Sequence, residues 1–129
     1  MKDFFYYLFV FLLGGQAYCT VEIITRGRTH YSMFFAAGLI FLYLILISEQ
    51  MKKAPLFEKC LLGAVFITAT EFIFGCIFNL KYSLAVWDYS NQPFNVLGQI
   101  CLPFSILWFF ACFIIFKWII KDDFYRRFF

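Results

Sequence analysis

The residues of this chain that could carry out chemistry are a few charged side chains set in apolar surroundings. Glu71 interrupts a long apolar run, and an acid in such a place usually faces a partner or water. Arg26 and Arg28 could clamp a phosphate through paired N–H donors. His30 could titrate near neutrality, and Asp88 is a further candidate for acid–base work. These types suit ion coupling, phosphate binding or proton transfer.

Helical spacing indicates where Glu71 points. The residues on its own face are small or polar, namely Ala64, Thr68, Gly75 and Asn79, whereas the other faces carry Phe and Ile. Glu71 should therefore point into a bundle of helices. One alternative is a structural role, in which Glu71 pairs with Arg26 or Arg28 and locks helices together. On an earlier helix, Gly15, Cys19, Glu22 and Arg26 follow the same spacing.

The densest polar stretch is WDYSNQPFN, from Trp87 to Asn95. Its aromatic residues suit a membrane interface, and Asp88 could pair with Arg26 or Arg28. Downstream, Pro103 predicts either a kink in a helix that begins near residue 96 or a later start, with residues 95–101 re-entrant.

Composition sets the surroundings of these residues. Hydrophobic residues make up 64% of the 129, aromatic residues 25%, and Phe alone accounts for 21. A soluble domain of this size could not bury so much apolar surface, which predicts an integral membrane protein.

Four apolar segments are long enough to cross a bilayer, which takes about 20 residues. They run over about 4–24, 31–48, 60–80 and 96–120. We therefore expect a single all-α membrane domain built as a four-helix bundle over residues 1–129, with a polar loop at 81–95.

Lys and Arg accumulate in cytoplasmic loops, which predicts the orientation in the cell membrane. One side holds seven of them (Lys2, Lys52, Lys53, Lys59, Lys121, Arg126, Arg127) and the other holds three (Arg26, Arg28, Lys81). Both termini should be cytoplasmic, so the polar residues of three helices and the 81–95 loop would collect at the outer side.

Several classes of protein find no support. The net charge of +3 includes no dense basic run, so nucleic-acid binding is not expected. The five cysteines form no C-x-x-C pair, and neither a P-loop, a nucleophile elbow nor a zinc motif occurs. We expect no metal, no cofactor and no catalytic residues.

Four stretches resemble one family: CTVEIITRGRTHYSM, TATEFIFGCIFN, VWDYSNQPFNVLGQICLPFS and ILW. An acid at the end of the first span, E-x-x-x-G in the third, and W-D-Y-S followed by F-N-x-x-G-x-I-C-L are similar to the putative ABC-transporter type IV family, or CmpB-like permeases. The resemblance covers nearly the whole chain and implies a minimal-length member. The signature positions it implies are Glu22, Arg26, Glu71, Gly75, Trp87, Asp88, Tyr89, Ser90, Asn95, Gly98 and Ser105.

The function that we predict is a permease-like membrane subunit with a polar pocket in its outer half. Four helices enclose little space, so a homodimer or a partner membrane or ATPase subunit is expected beside the lipid bilayer. The alternatives are a structural or regulatory protein whose polar cluster only staples the helices, and a lipid-headgroup binder or membrane-embedded enzyme. The predicted pocket residues are Glu22, Arg26, Arg28, His30, Glu71, Asn79, Trp87, Asp88, Tyr89, Ser90, Asn95, Gln99 and Ser105.

Overall fold

A computed structural model describes residues 2–27, 29–84 and 86–120 of the chain. Within these ranges four helices follow one another: α1 (Lys2–Arg26), α2 (Tyr31–Gln50), α3 (Leu56–Gly75) and α4 (Leu102–Ile114). Wider π-helical turns continue α3 over Cys76–Lys81 and α4 over Ile115–Ile119. The described part of the chain contains no strand, only an isolated bridge between Val96 and Ile100.

All four helices are apolar, and they differ in length. α1, α2 and α3 with its π-helical continuation are each long and apolar enough to cross a membrane, whereas α4 belongs to a shorter apolar helix, Leu102–Trp118. Large apolar side chains such as Ile24, Phe35 and Val65 are exposed on their outer surfaces, which suits contact with lipid.

The starts of α2, α3 and α4 each coincide with a cap or a proline. His30 has extended backbone, and its ring nitrogen accepts a hydrogen bond from the Ser32 backbone N–H at the start of α2 (3.1 Å). Pro55 immediately precedes α3, and Pro103 lies in the first turn of α4, where a missing N–H costs nothing.

The predicted fourth span is therefore wrong at its start. The helix begins at Leu102 and not near residue 96, and Pro103 opens it instead of kinking it. The later start that we considered is the correct alternative. Residues 94–101, just before it, form turns and the isolated bridge, and Phe94, Leu97 and Gly98 among them have positive φ, a backbone geometry that a helix cannot contain.

The helices pack in chain order. α1 contacts α2 most extensively, α2 contacts α3 and α3 contacts α4, while α1 and α4 have at most passing contact. Close approach of α1 to α2 depends on glycine, because a Cβ at Gly14 would lie 2.4 Å from Phe41 and one at Gly38 would lie 2.8 Å from Phe11.

The apolar core lies at the end of the bundle opposite the polar residues. Its buried members are Leu44, Ile47, Cys60, Ile67, Cys112 and Phe116. At this end the Tyr7 hydroxyl donates to Glu49 (3.1 Å) and so joins the start of α1 to the end of α2.

Candidate functional site

Glu71, on α3, is held by two hydrogen bonds from other parts of the chain. Its Oε2 accepts a hydrogen bond from the Tyr89 hydroxyl and its Oε1 accepts one from Trp108 Nε1, each at 2.9 Å. Helical spacing predicts that this side chain points into the bundle, and it does. Its partners, however, are aromatic donors from the 82–101 loop and α4, not Arg26. Burial and then the negative charge of Glu71 raise the pKa of Tyr89, so its hydroxyl stays a donor.

Glu22 forms a second centre, at the end of α1. It is only 4% exposed and accepts from Arg26 Nη1 (3.1 Å), from the Tyr18 hydroxyl (3.3 Å) and from Thr29 Oγ1. Arg26 Nη2 donates to the Val86 carbonyl oxygen (3.1 Å), which ties α1 to the 82–101 loop.

The predicted pairing of Asp88 with Arg26 is wrong, because Arg26 pairs with Glu22. Asp88 is exposed and accepts hydrogen bonds from the side chain and the backbone N–H of Ser90. These two bonds lower the pKa of Asp88 from its ordinary value. Arg28, the other predicted partner, lies outside the described residues.

Two amides join the π-helical turn of α3 to the loop. Asn79 Nδ2 donates to Gln99 Oε1 (2.8 Å), and Asn79 Oδ1 accepts from the Val86 N–H (2.6 Å). The Gln99 carbonyl oxygen accepts from Trp87 Nε1 (2.9 Å), and Gln99 is 3% exposed. A Cβ at Gly75 would lie 2.6 Å from Gln99 Oε1, so a residue without a side chain is needed there.

The loop is also closed upon itself. Asn95 Nδ2 donates to the Gln92 carbonyl (2.9 Å), and Asn95 Oδ1 accepts from the Gly98 N–H (3.1 Å). The Tyr89 N–H donates to the Gly98 carbonyl (2.7 Å). Gly98 has φ +72°, and a Cβ there would meet the side chains of Ser90 and Asp88.

Two cavities lie beside these groups. The first, which we call the polar pocket, has a volume of about 410 Å³. Its walls are Tyr18, Val21, Glu22, Thr25, Arg26, Trp87, Asp88, Tyr89, Phe104 and Trp108.

The second, which we call the central chamber, has a volume of about 350 Å³ and lies between all four helices. Its lining is apolar apart from a few groups that include Thr70 and Glu71. Tyr18, Trp87 and Trp108 line both cavities and so form the wall between them.

The structure brings together most of the predicted pocket residues, but not all of them. Glu22, Arg26, Trp87, Asp88 and Tyr89 line the polar pocket, and Glu71 lines the chamber. The supporting network holds the others: Asn79, Ser90, Asn95 and Gln99.

His30 and Ser105 lie apart from both cavities. His30 caps α2 and its ring contacts that of Phe78, with centroids 5.9 Å apart. Ser105 Oγ is hydrogen-bonded to Thr68 Oγ1 (2.8 Å), between α3 and α4.

Sequence reasoning missed Tyr18, Thr25, Phe104 and Trp108 as pocket residues. Tyr18 stands one helical turn before Glu22, a spacing that puts both on one face and could have been used. Trp108 shares a helical face with Ser105 and Cys112, but nothing in the sequence pairs it with Glu71. Among the described residues no three His, Cys, Asp or Glu side chains are grouped so that they could hold a metal ion.

The fold and the site together define a helical membrane protein with a polar pocket at one end and an adjoining apolar chamber between its helices. A family model described as putative ABC-transporter type IV matches residues 4–127. The chain belongs to this family, and the predicted resemblance is confirmed. No solved structure matches the chain.

Proposed function

We propose that the protein is a permease-like transport subunit whose four helices all cross the bilayer and whose polar pocket is the entrance to a pathway. The observation that carries this proposal is the common wall of the two cavities, made by Tyr18, Trp87 and Trp108. In this proposal, rotation of these three side chains is the step that joins the pocket to the chamber. Membership of a transporter-related family supports the same function.

Glu71 has the position of a gating acid in this pathway. Trp108, a wall residue, and Tyr89, a pocket residue, both donate to its carboxylate. An ionised carboxylate is purely an acceptor and suits both donors. A proton or a cation at Glu71 would compete for the same oxygens and weaken the hold on Trp108. Glu71 would then couple opening of the wall to an ion or proton.

The proposal includes a partner chain that completes the pathway. The side between α1 and α4 is left without close helix packing, and a chamber of about 350 Å³ is small for a complete pathway. A second copy or another membrane subunit would complete it. Among the described residues, the connection that an ATPase subunit could contact on the predicted cytoplasmic side is residues 51–55, between α2 and α3.

A second candidate function is mechanical, with the polar network only stapling one end of the bundle. It is favoured by the completeness of the network, since no buried side-chain nitrogen or oxygen of the described residues lacks a hydrogen-bond partner. Such a network can rigidify a fold with no ligand involved.

The experiment that separates the two measures access to the chamber. Ala37 lines the chamber from α2, so Ala37→Cys reports entry of a charged, membrane-impermeant thiol reagent into protein in lipid nanodiscs. If the pathway exists, adding Glu71→Gln should speed labelling of Ala37→Cys several-fold, because the negative charge that holds the Tyr89 and Trp108 donors is lost. Lys53→Cys, exposed in the connection between α2 and α3, is the matched control and should label at one rate in both backgrounds.

An unchanged rate at Ala37→Cys in folded Glu71→Gln protein would contradict the gate and favour the staple. Should Glu71→Gln fail to accumulate, Trp108→Phe serves instead, since it keeps a ring but deletes one bond to Glu71. It should also speed labelling.

A further inference from the structure

We infer that the polar pocket and the central chamber together bind an amphiphile that has one apolar tail and a positively charged head. The tail would occupy the chamber and the head the pocket. The inference rests on the proposed pathway, because it names the class of molecule that the pathway would carry.

The chamber has the properties of a site for an apolar tail. Its volume of about 350 Å³ is at the lower end of the range for ligand pockets, roughly 300–1,000 Å³. Its walls are almost wholly hydrocarbon, and Glu71, the acid among them, has both oxygens hydrogen-bonded. Water binds poorly in a cavity of this kind, and filling it with apolar groups lowers the free energy of the complex.

The chamber is placed so that a tail could enter from lipid. Its wall includes Ala17 of α1, which is exposed, and the half-buried Trp108, Ala111 and Ile115 on the α4 side. Because α1 and α4 have little contact, these residues border a gap in the ring of helices. An amphiphile could pass through this gap while its head stays at the polar end.

The charges of the polar pocket favour a positive head. Its described lining carries two acids, Glu22 and Asp88, and one base, Arg26. Arg26 uses two of its five N–H groups on Glu22 and the Val86 carbonyl oxygen, and the Glu22 carboxylate offsets its positive charge. Asp88 is exposed, and within the described parts of the chain its hydrogen bonds come from its own loop neighbour Ser90.

The aromatic walls point to the same ligand. The rings of Tyr89 and Phe104 are stacked with centroids 4.7 Å apart, and Trp108 lies next to Phe104 at 6.3 Å. Ring faces attract cations, most strongly when both are withdrawn from water. A pocket with aromatic walls, one exposed acid and a neutralised arginine should select an ammonium head over a phosphate or a sulfate.

Tryptophan fluorescence can test the inference directly. Of the three tryptophans, Trp87 and Trp108 line both cavities, so a Trp118→Phe variant reports on the cavities alone. In nanodiscs of neutral lipid it would be titrated with dodecyltrimethylammonium or dodecyl sulfate, each brominated on the tail to quench nearby indoles. We expect saturable quenching with a half-point roughly tenfold lower for the cation.

Two further variants locate the head and the tail. Asp88→Asn should cut the preference for the cation several-fold, while its side-chain oxygen still accepts from Ser90. Ala111→Phe should fill part of the chamber and weaken quenching by both probes, and Ile106→Phe on the exposed surface of α4 should change neither titration. Equal half-points for the two probes, or quenching indifferent to Ala111→Phe, would overturn the inference.

The pathway and its ligand can fail separately. If Glu71→Gln speeds labelling of Ala37→Cys but the cation is not preferred, the gate stands and the ligand class is wrong. If the cation binds selectively but the labelling rate never changes, the amphiphile site stands and the gate is wrong.

Discussion

A carboxylate that is almost fully buried must have its charge compensated, and Glu22 is compensated by three donors. Arg26 supplies the positive charge, while Tyr18 and Thr29 supply hydroxyls. The Arg26 side chain is 41% exposed, so water screens the pair in part. The ion pair thus contributes less than a fully buried one, and the hydrogen bonds carry a large share of the compensation.

This balance predicts the outcome of a double-mutant cycle. Arg26→Gln should lower the free energy of unfolding by about 1–2 kcal/mol, below the ~3–5 kcal/mol for breaking fully buried pairs. Glu22→Gln should cost about 1 kcal/mol, since an amide oxygen still accepts. The double variant should lose less than the sum, with a coupling of roughly 0.5–1 kcal/mol. Unfolding would be followed in mild detergent, with Lys53→Gln as a remote control. If the losses of the two single variants simply add in the double variant, the interaction between Glu22 and Arg26 contributes nothing to the free energy of unfolding.

At the scale of elements, the π-helical turn after α3 fixes the 82–101 loop. The wider turn carries Asn79, whose amide bonds both Gln99 and the Val86 N–H. Gly75, at the last α-helical position, lets Gln99 approach the helix closely. The Asn79–Gln99 amide pair therefore holds the loop against α3, and the absence of a side chain at Gly75 leaves room for it.

Gly75→Ala should consequently detach the loop. The new methyl group would lie 2.6 Å from Gln99 Oε1 and 2.9 Å from Gln99 Cβ, and Cβ is too close to the backbone to move away cheaply. We expect a loss of about 1–3 kcal/mol, typical of overpacking. Hydrogen exchange should also rise at the N–H of Val86. Ala69→Val on the exposed face of α3 is the control and should leave both unchanged. A Gly75→Ala protein with wild-type exchange would contradict this account of the loop.

Much of this element-level picture follows from sequence patterns. Apolar run lengths place α1, α2 and α3 within a few residues, and helical spacing correctly turns Glu71 inward, because both depend only on neighbours along the chain. The start of α4 does not follow, since residues 96–101 are apolar enough to read as helix. Phe94 and Leu97 have positive φ, which neither residue type favours, so composition does not predict these turns.

The contacts of the candidate site also divide into those that sequence patterns predict and those that they do not. Glu22 and Arg26 lie one helical turn apart, and their pairing is a local property of α1. The bonds from Tyr89 and Trp108 to Glu71 join residues 18 and 37 positions apart in sequence, so only the packing of α3, α4 and the loop brings them together. The cavities between the helices depend on that packing too.

At the scale of the whole molecule, the two ends of the bundle are held by different forces. The polar end depends on the hydrogen bonds of Glu22, Glu71 and Asn79, and the opposite end on the apolar core around Leu44 and Cys112. The connection at residues 51–55 follows α2 at the apolar-core end, where Tyr7 meets Glu49. The 82–101 loop covers the other end, where Arg26 meets Val86.

If the helices cross a bilayer, these two connections must lie on opposite sides of it. Lys and Arg counts then predict that residues 51–55 face the cytoplasm and that Ser90 faces outward. In intact cells an impermeant maleimide should label Ser90→Cys and spare Lys53→Cys until the membrane is permeabilised. The unmodified protein sets the background, which should be low because four of its five cysteines are buried. Labelling of both positions from outside would mean that the bundle does not span the membrane. The reverse pattern would keep the span, invert the orientation and turn the polar pocket toward the cytoplasm.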